Sequence, residues 1–240
     1  IGYATAAEMA RRGYAIVLSS RKPADAAQRL AASTGARVVP VPADMADPGA
    51  PAALLAAAQE LGTLAAVFLN HGGPGVKPFL QLTEADWQRA FEMMVQGPLR
   101  LLRACVPLLR AAGGGRVLAI SSFSVKEPQA GIILSNSLRA ALVNALKTIA
   151  REIGGDGILL NAIAPGYIDT GRLTEWNRSQ GARMGIDAAQ VQKAALAAVP
   201  LGRYGTPEEL ARLAAFLLSE DNTYVTGQQV VFDGGLVGSW

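Results

Sequence analysis

Short apolar runs alternate with longer Ala- and Leu-rich segments along the whole chain, and this alternation restricts the fold more than any other feature. The runs at 15–19, 38–41, 64–69, 117–120, 158–163 and 230–232 are apolar almost throughout. A strand with one wet face would alternate apolar with polar residues, so these read as strands covered on both sides. The segments between them, 4–12, 24–34, 48–62, 83–111 and 138–153, carry helical patterns. Strands separated by helices pair in parallel, because the crossover returns the chain to the same end of the sheet. The expected fold is α/β, a doubly wound, Rossmann-type, mostly parallel sheet with helices on both faces.

Local signals agree with this frame. Gly13 and Gly35 stand where helices should stop. Thr83 with Asp86 three residues on forms a capping-box pattern, and Pro98 should kink or interrupt the helix that follows. Thr206-Pro207-Glu208-Glu209 combines a cap, a proline at the first helical position and a glutamate at the third. Only 171–200 breaks the rhythm, and a long irregular segment in such a chain is expected to be a lid or substrate loop. No linker or repeat divides residues 1–240, which are expected to form one domain. Ile1-Gly2-Tyr3 resembles the entry to a helix, so a first strand and glycine loop are expected upstream of it.

Several function classes are disfavoured. No apolar run approaches the roughly 18 residues a membrane span needs. The net charge of +3 is spread without a dense basic run, which argues against nucleic-acid binding. Cys105 is the only cysteine and cannot form an internal disulfide, so a reducing, cytoplasmic setting is expected. No metal site is expected.

The candidate binding residues lie where apolar runs end. Dinucleotides bind doubly wound sheets with their pyrophosphate on helix N-terminal amides, approached over glycine. Gly2 stands at such a point. The run at 15–19 ends in Ser20-Arg21, without the ribose-selecting carboxylate expected about 20 residues past a glycine loop. Arg21 can instead hold a 2′-phosphate, which favours NADP while leaving NAD open. Asn70-His71-Gly72-Gly73 follows another run, where glycines permit close backbone approach to an adenosine. His71, the only histidine, reads as a loop residue near the cofactor.

A further segment carries a specific likeness. Ile120-Ser121-Ser122 closes a strand, and Ser135 and Arg139 follow at thirteen and seventeen residues from Ser122. This frame resembles the short-chain dehydrogenase/reductase family, in which a strand-end serine precedes a Tyr-x-x-x-Lys pair. Asp44, Pro165-Gly166-Tyr167-Ile168-Asp169-Thr170, the run from Arg203 to Glu209 and the ending from Gly227 to Gly235 extend the resemblance over essentially the whole chain. Val125-Lys126-Glu127-Pro128 and Leu134-Ser135-Asn136-Ser137-Leu138-Arg139 resemble an atypical subgroup related to 3-oxoacyl-acyl-carrier-protein reductases.

The resemblance implies hydride transfer between a nicotinamide and a carbonyl or alcohol carbon of a small molecule. It also implies that Asp44, Asn70, Gly72, Pro165, Gly166, Ile168 and Thr170 line the cofactor and that the protein is a homodimer or homotetramer. The usual catalytic set is Asn, Ser, Tyr and Lys. Here those positions hold Met94, Ser122, Ser135 and Arg139, so only the serine remains. A serine hydroxyl is far less acidic than a phenol, and a guanidinium does not relay protons as an ammonium does. Losing general-acid assistance typically costs about 10²–10⁴ in rate. Lys126, Glu127 or a water held by Arg139 are candidate replacement donors. The alternative is a catalytically silent dinucleotide-binding protein with a sensing or scaffolding role.

Overall fold

The computed structural model describes residues 1–239. Six strands, all paired in parallel, are β1 (Ile16–Ser20), β2 (Val38–Pro42), β3 (Ala66–Leu69), β4 (Gly115–Ile120), β5 (Ile158–Pro165) and β6 (Gln229–Phe232). Their pairing gives a four-stranded sheet in the order β3-β4-β5-β6 and a two-stranded sheet, β1-β2. The two sheets share apolar clusters instead of hydrogen bonds. Ile16 of β1 packs with Ala66 and Phe68 of β3, and Val17 joins Val67 in a second cluster.

The helices are α1 (Gly2–Arg11), α2 (Ala24–Thr34), α3 (Ala50–Leu61), α4 (Glu84–Phe91), α5 (Gly97–Ala111), α6 (Ile133–Ile153), α7 (Gly171–Met184), α8 (Ala188–Ala197) and α9 (Pro207–Leu218). Alternation along β4 shows why they cover both faces. Val117 and Ala119 point into a cluster with Leu102, Leu109, Leu142 and Leu146 from α5 and α6. Leu118 and Ile120 point the other way, onto Met9 of α1 and Leu210, Ala214 and Leu217 of α9. Each fully buried leucine contributes roughly 1.5–3 kcal/mol, so both faces must be covered for the strand to be stable.

Local chemistry sets several boundaries. The capping boxes at Thr83 and Thr206 form as expected, with Asp86 and Glu209 bonding back to the cap amides. The interruption near Pro98 takes the form of a π-helical turn, Glu92–Gln96, so that Pro98 falls in the first turn of α5, where its missing N–H costs nothing. Gly97 is required there, because a Cβ would overlap the Met45 carbonyl oxygen.

Two expectations are corrected. Residues 171–200 are not irregular: they form α7 and α8, the latter started by a capping box at Asp187. Polar residues dominate α7, and that hid its helical period. In addition, α6 begins at Ile133 and not at 138, which places Ser135 and Arg139 one turn apart on the same helix.

The Gly97 contact gives a direct test. Gly97→Ala should destabilise the protein by about 1–3 kcal/mol through overpacking against Met45. Gly154→Ala, at a helical φ of −60° with nothing within 4 Å of the added carbon, should be neutral or mildly stabilising. Denaturant midpoints for the two variants would check this, and equal losses would show that the close approach is not rigid.

Candidate active site

Parallel pairing carries the C-terminal ends of β3, β4 and β5 to one edge, and the chain leaving each end carries polar residues. Ser121 and Ser122 follow β4, Asn70 and His71 follow β3, and Gly166 follows β5. The start of α6 faces this edge. Ligands of doubly wound sheets occupy such edges.

Ser122 caps a short 3₁₀ turn, its Oγ accepting the Ser124 N–H at 3.1 Å. This fixes the side chain and leaves its own hydrogen free to donate. Arg139 is only 8% exposed. Its Nη1 donates to the carbonyls of Ile120 at 2.9 Å and Ser121 at 3.1 Å, and its Nε donates to Ser135 Oγ at 3.2 Å. Arg139 therefore staples α6 to the end of β4, with Ser135, also buried, accepting at its base. Burial and the nearby Arg172 lower its pKa to about 10, so it stays charged at neutral pH. Met94, where the resemblance places an amide, is fully buried in the π turn among Leu134 and Leu138.

His71 is buried beside this group. Its Nδ1 lies 2.7 Å from the Gly72 carbonyl, a contact that fixes Nδ1 as the protonated nitrogen. Nε2 is then a lone-pair acceptor, and it is buried without a hydrogen-bond partner among the described residues. Desolvation first, and then the charge of Arg139, lower the pKa to about 4; the Gly72 bond opposes them, and Arg172 adds the smallest lowering. The imidazole is neutral at physiological pH.

Most of the residues expected to hold a dinucleotide follow strand ends or open helices. A Cβ on Gly2 would overlap the Asn70 amide, so the start of α1 and the end of β3 approach as closely as a glycine allows. Such an approach fits a pyrophosphate seated on helix-terminal amides. Arg21 is exposed after β1, and Asp44 is exposed after β2, its Oδ1 accepting the Ala46 N–H at 3.0 Å in a tight turn. Gly72 lies next to His71. Pro165 ends β5, and Gly166 packs where a side chain would strike Asp233. Ile168 is buried and bridges to Gly205, and Thr170 stands at the N-terminus of α7, its hydroxyl donating to the Ile168 carbonyl at 3.3 Å.

Comparison with known proteins agrees with this layout. The family profile described as enoyl-(acyl carrier protein) reductase matches residues 1–237. The hydroxynaphthalene reductase-like protein Arp2 of Metarhizium anisopliae (strain ARSEF 549) is 31% identical, over 99% of this chain and 91% of its own length. The chain belongs to the short-chain dehydrogenase/reductase family. Dehydrogenase/reductase SDR family member 4 of Oryctolagus cuniculus is also 31% identical, over 98% of this chain and 88% of its own. Among solved structures, the L-sorbose reductase of Gluconobacter frateurii, complexed with NADPH and L-sorbose, superposes with a TM-score of 0.92. It is 30% identical, over 99% of this chain and 92% of that one. As a family member the chain is an NAD(P)-dependent oxidoreductase.

Other residues near the site make contacts that the sequence did not disclose. Glu127 accepts the backbone N–H groups of Gly238, at 2.8 Å, and Ser239, at 3.3 Å, so its carboxylate ties down the C-terminal segment. Tyr167 packs edge-on to Phe123, with ring centroids 5.5 Å apart, and beside Trp176 and Tyr204. Burial, followed by Tyr204, raises its phenol pKa, the opposite of what a proton-sharing phenol needs. Arg172 was not recognisable from sequence as a site residue. Nothing in Thr170-Gly171-Arg172 signals that this side chain reaches Gly73, which lies about a hundred residues earlier.

The neutral histidine has a measurable consequence. The unfolded chain takes up a proton at His71 below its ordinary value of 6.5, whereas the folded protein resists until about 4. His71 therefore supports stability fully above pH 6.5 and loses that contribution as pH falls from 6.5 to 4, by an amount on the order of 3 kcal/mol. The difference in unfolding free energy between wild type and His71→Asn should shrink over that window. A difference that stays constant with pH would show that the imidazole is not buried in neutral form.

Proposed function

We propose that this family member is an NADP-preferring reductase or dehydrogenase of carbonyl or hydroxyl compounds, 3-oxoacyl-reductase-like in class, working with a non-standard catalytic set. The observation that supports this most strongly is the grouping of Ser122, Ser135 and Arg139 beside a glycine-lined dinucleotide cradle. When bound, the nicotinamide supplies or accepts hydride. The protein's task is then to orient the substrate oxygen and to move one proton to or from it.

Ser122 suits the first task, since its hydrogen remains free to donate to a substrate oxygen. Arg139 contributes positive potential where negative charge develops on that oxygen during reduction. Ser135 accepts from Arg139 and, although its own hydrogen stays free, lacks the reach and acidity of a phenol. Proton delivery is consequently the weak step, and turnover slower by about 10²–10⁴ than with a full set is the expectation. Arg21, exposed and with no carboxylate partner among the described residues, supports the choice of NADP over NAD. The chain is further proposed to act in the cytoplasm as a homodimer or homotetramer.

A second reading, a silent dinucleotide-binding protein, draws on the same residues. Met94 is wholly packed, and Ser135 and Arg139 both make structural bonds. Two measurements separate the readings. Arg21→Ala should weaken NADPH binding about 10-fold or more, the worth of a charge-assisted phosphate contact, with NADH binding little changed. A panel of carbonyl compounds with NADPH should show slow turnover that falls further in Ser122→Ala. Tight NADPH binding with no turnover of any compound would favour the silent reading.

A further inference from the structure

The site edge carries two guanidinium charges and no bonded carboxylate. Arg139 is buried, and its Nη2 makes no hydrogen bond to any described residue. Arg172 lies in the first turn of α7 and is exposed, yet its side chain folds back toward Gly73. Its guanidinium rests on Gly73 so closely that a Cβ there would meet its Cζ at 2.8 Å and Nη1 at 3.0 Å and would overlap Nη2. Neither arginine belongs to any ion pair among the described residues, although eight other pairs form elsewhere. Arg172 acts electrostatically on both Arg139 and His71, so the three side chains share one region of field. His71 adds no charge, and its buried Nε2 lone pair has no partner among the described residues. The buried charge of Arg139 has no counterion among the described residues, which is unfavourable, and an entering anion relieves it, while the exposed Arg172 can meet that anion from the solvent side. A guanidinium fork also matches the two oxygens of a carboxylate.

Building on the proposed oxidoreductase function, we infer that the substrate is an oxo or hydroxy acid whose carboxylate is received by Arg172 over Gly73, within the field of Arg139. The glycine at 73 makes room for the guanidinium, and the anchoring residue belongs to α7, the segment expected from sequence to cover the substrate. Arg183 of the same helix has a different setting. It donates to Gln180 Oε1 at 2.6 Å and lies near Gly131. It serves as a charge-matched control.

Calorimetry on the NADPH-loaded protein can compare short 2-, 3- and 4-oxo acids, each with its methyl ester. At least one acid should bind about 10- to 100-fold more tightly than its ester, the range expected of a charge-assisted contact. That preference should collapse in Arg172→Gln and persist in Arg183→Gln, with the NADPH dissociation constant within twofold of wild type in both. Acids that bind no better than esters would overturn the inference. So would an Arg172→Gln variant whose defect is in NADPH affinity, because the arginine would then serve the cofactor's own phosphates. Turnover of the same compounds reads the oxidoreductase proposal separately. Acid-selective binding without turnover would sink that proposal and keep the anion seat, whereas turnover of esters and acids alike would do the reverse.

Discussion

Parallel pairing of β3, β4, β5 and β6 is the constraint from which the site follows. A parallel ladder delivers every strand's C-terminal end to one edge, where the carbonyls of the last residues have no further strand to bond. Something must satisfy them. At the end of β4 the partner is Arg139, which donates to Ile120 and Ser121 from one turn beyond Ser135 on α6. The same bond that closes the strand therefore fixes a positive charge beside the serine expected to touch substrate. Removing Arg139 would leave two buried carbonyls unpaired, so its conformation is held by the fold and not by a ligand.

Much of this arrangement was legible in the residues. Continuous apolar runs such as 158–163 announced strands covered on both faces, and Thr83 and Thr206 announced their helices through chemistry confined to four residues. The family resemblance carried by the spacing from Ser122 to Ser135 and Arg139 implied that all three belong to one site. Less legible were features set by distant contacts. The helical nature of α7 was masked by a polar sequence, and the seat of Arg172 on Gly73 depends on two segments about a hundred residues apart. The solitary His71 offered no local pattern that would reveal its buried lone pair. Glu127, one of the candidate donors, holds the backbone of Gly238 and Ser239. Long-range partners of single polar side chains have no periodic signature, and no pattern along the chain could have revealed them.

The chemistry of the edge is correspondingly lopsided. Hydride transfer asks mainly for positioning, the part proposed for the glycine-lined cradle and Ser122. Proton transfer asks for a group whose acidity lies near neutrality, and the site lacks one in the usual place. Arg139 stays charged, Ser135 is too weak an acid, His71 is held neutral, and the Tyr167 phenol is driven further from ionisation by burial among aromatic rings. What the edge offers instead is fixed positive potential. That favours an oxygen that becomes negative and a substrate that already carries negative charge, which couples the loss of the phenol and ammonium to the kind of molecule the site suits.

The central claim is that a nicotinamide frame persists while the proton-transferring phenol beside it has been replaced by an alcohol and a guanidinium. A crystal structure of the protein with NADPH bound tests this most directly. It should show the reactive ring carbon facing Ser122, with Arg139 still bonded to the end of β4 and no phenolic oxygen within hydrogen-bonding reach of the substrate position. Finding the Tyr167 hydroxyl poised over the hydride-transfer face, about 3 Å from where the substrate oxygen must sit, would contradict it.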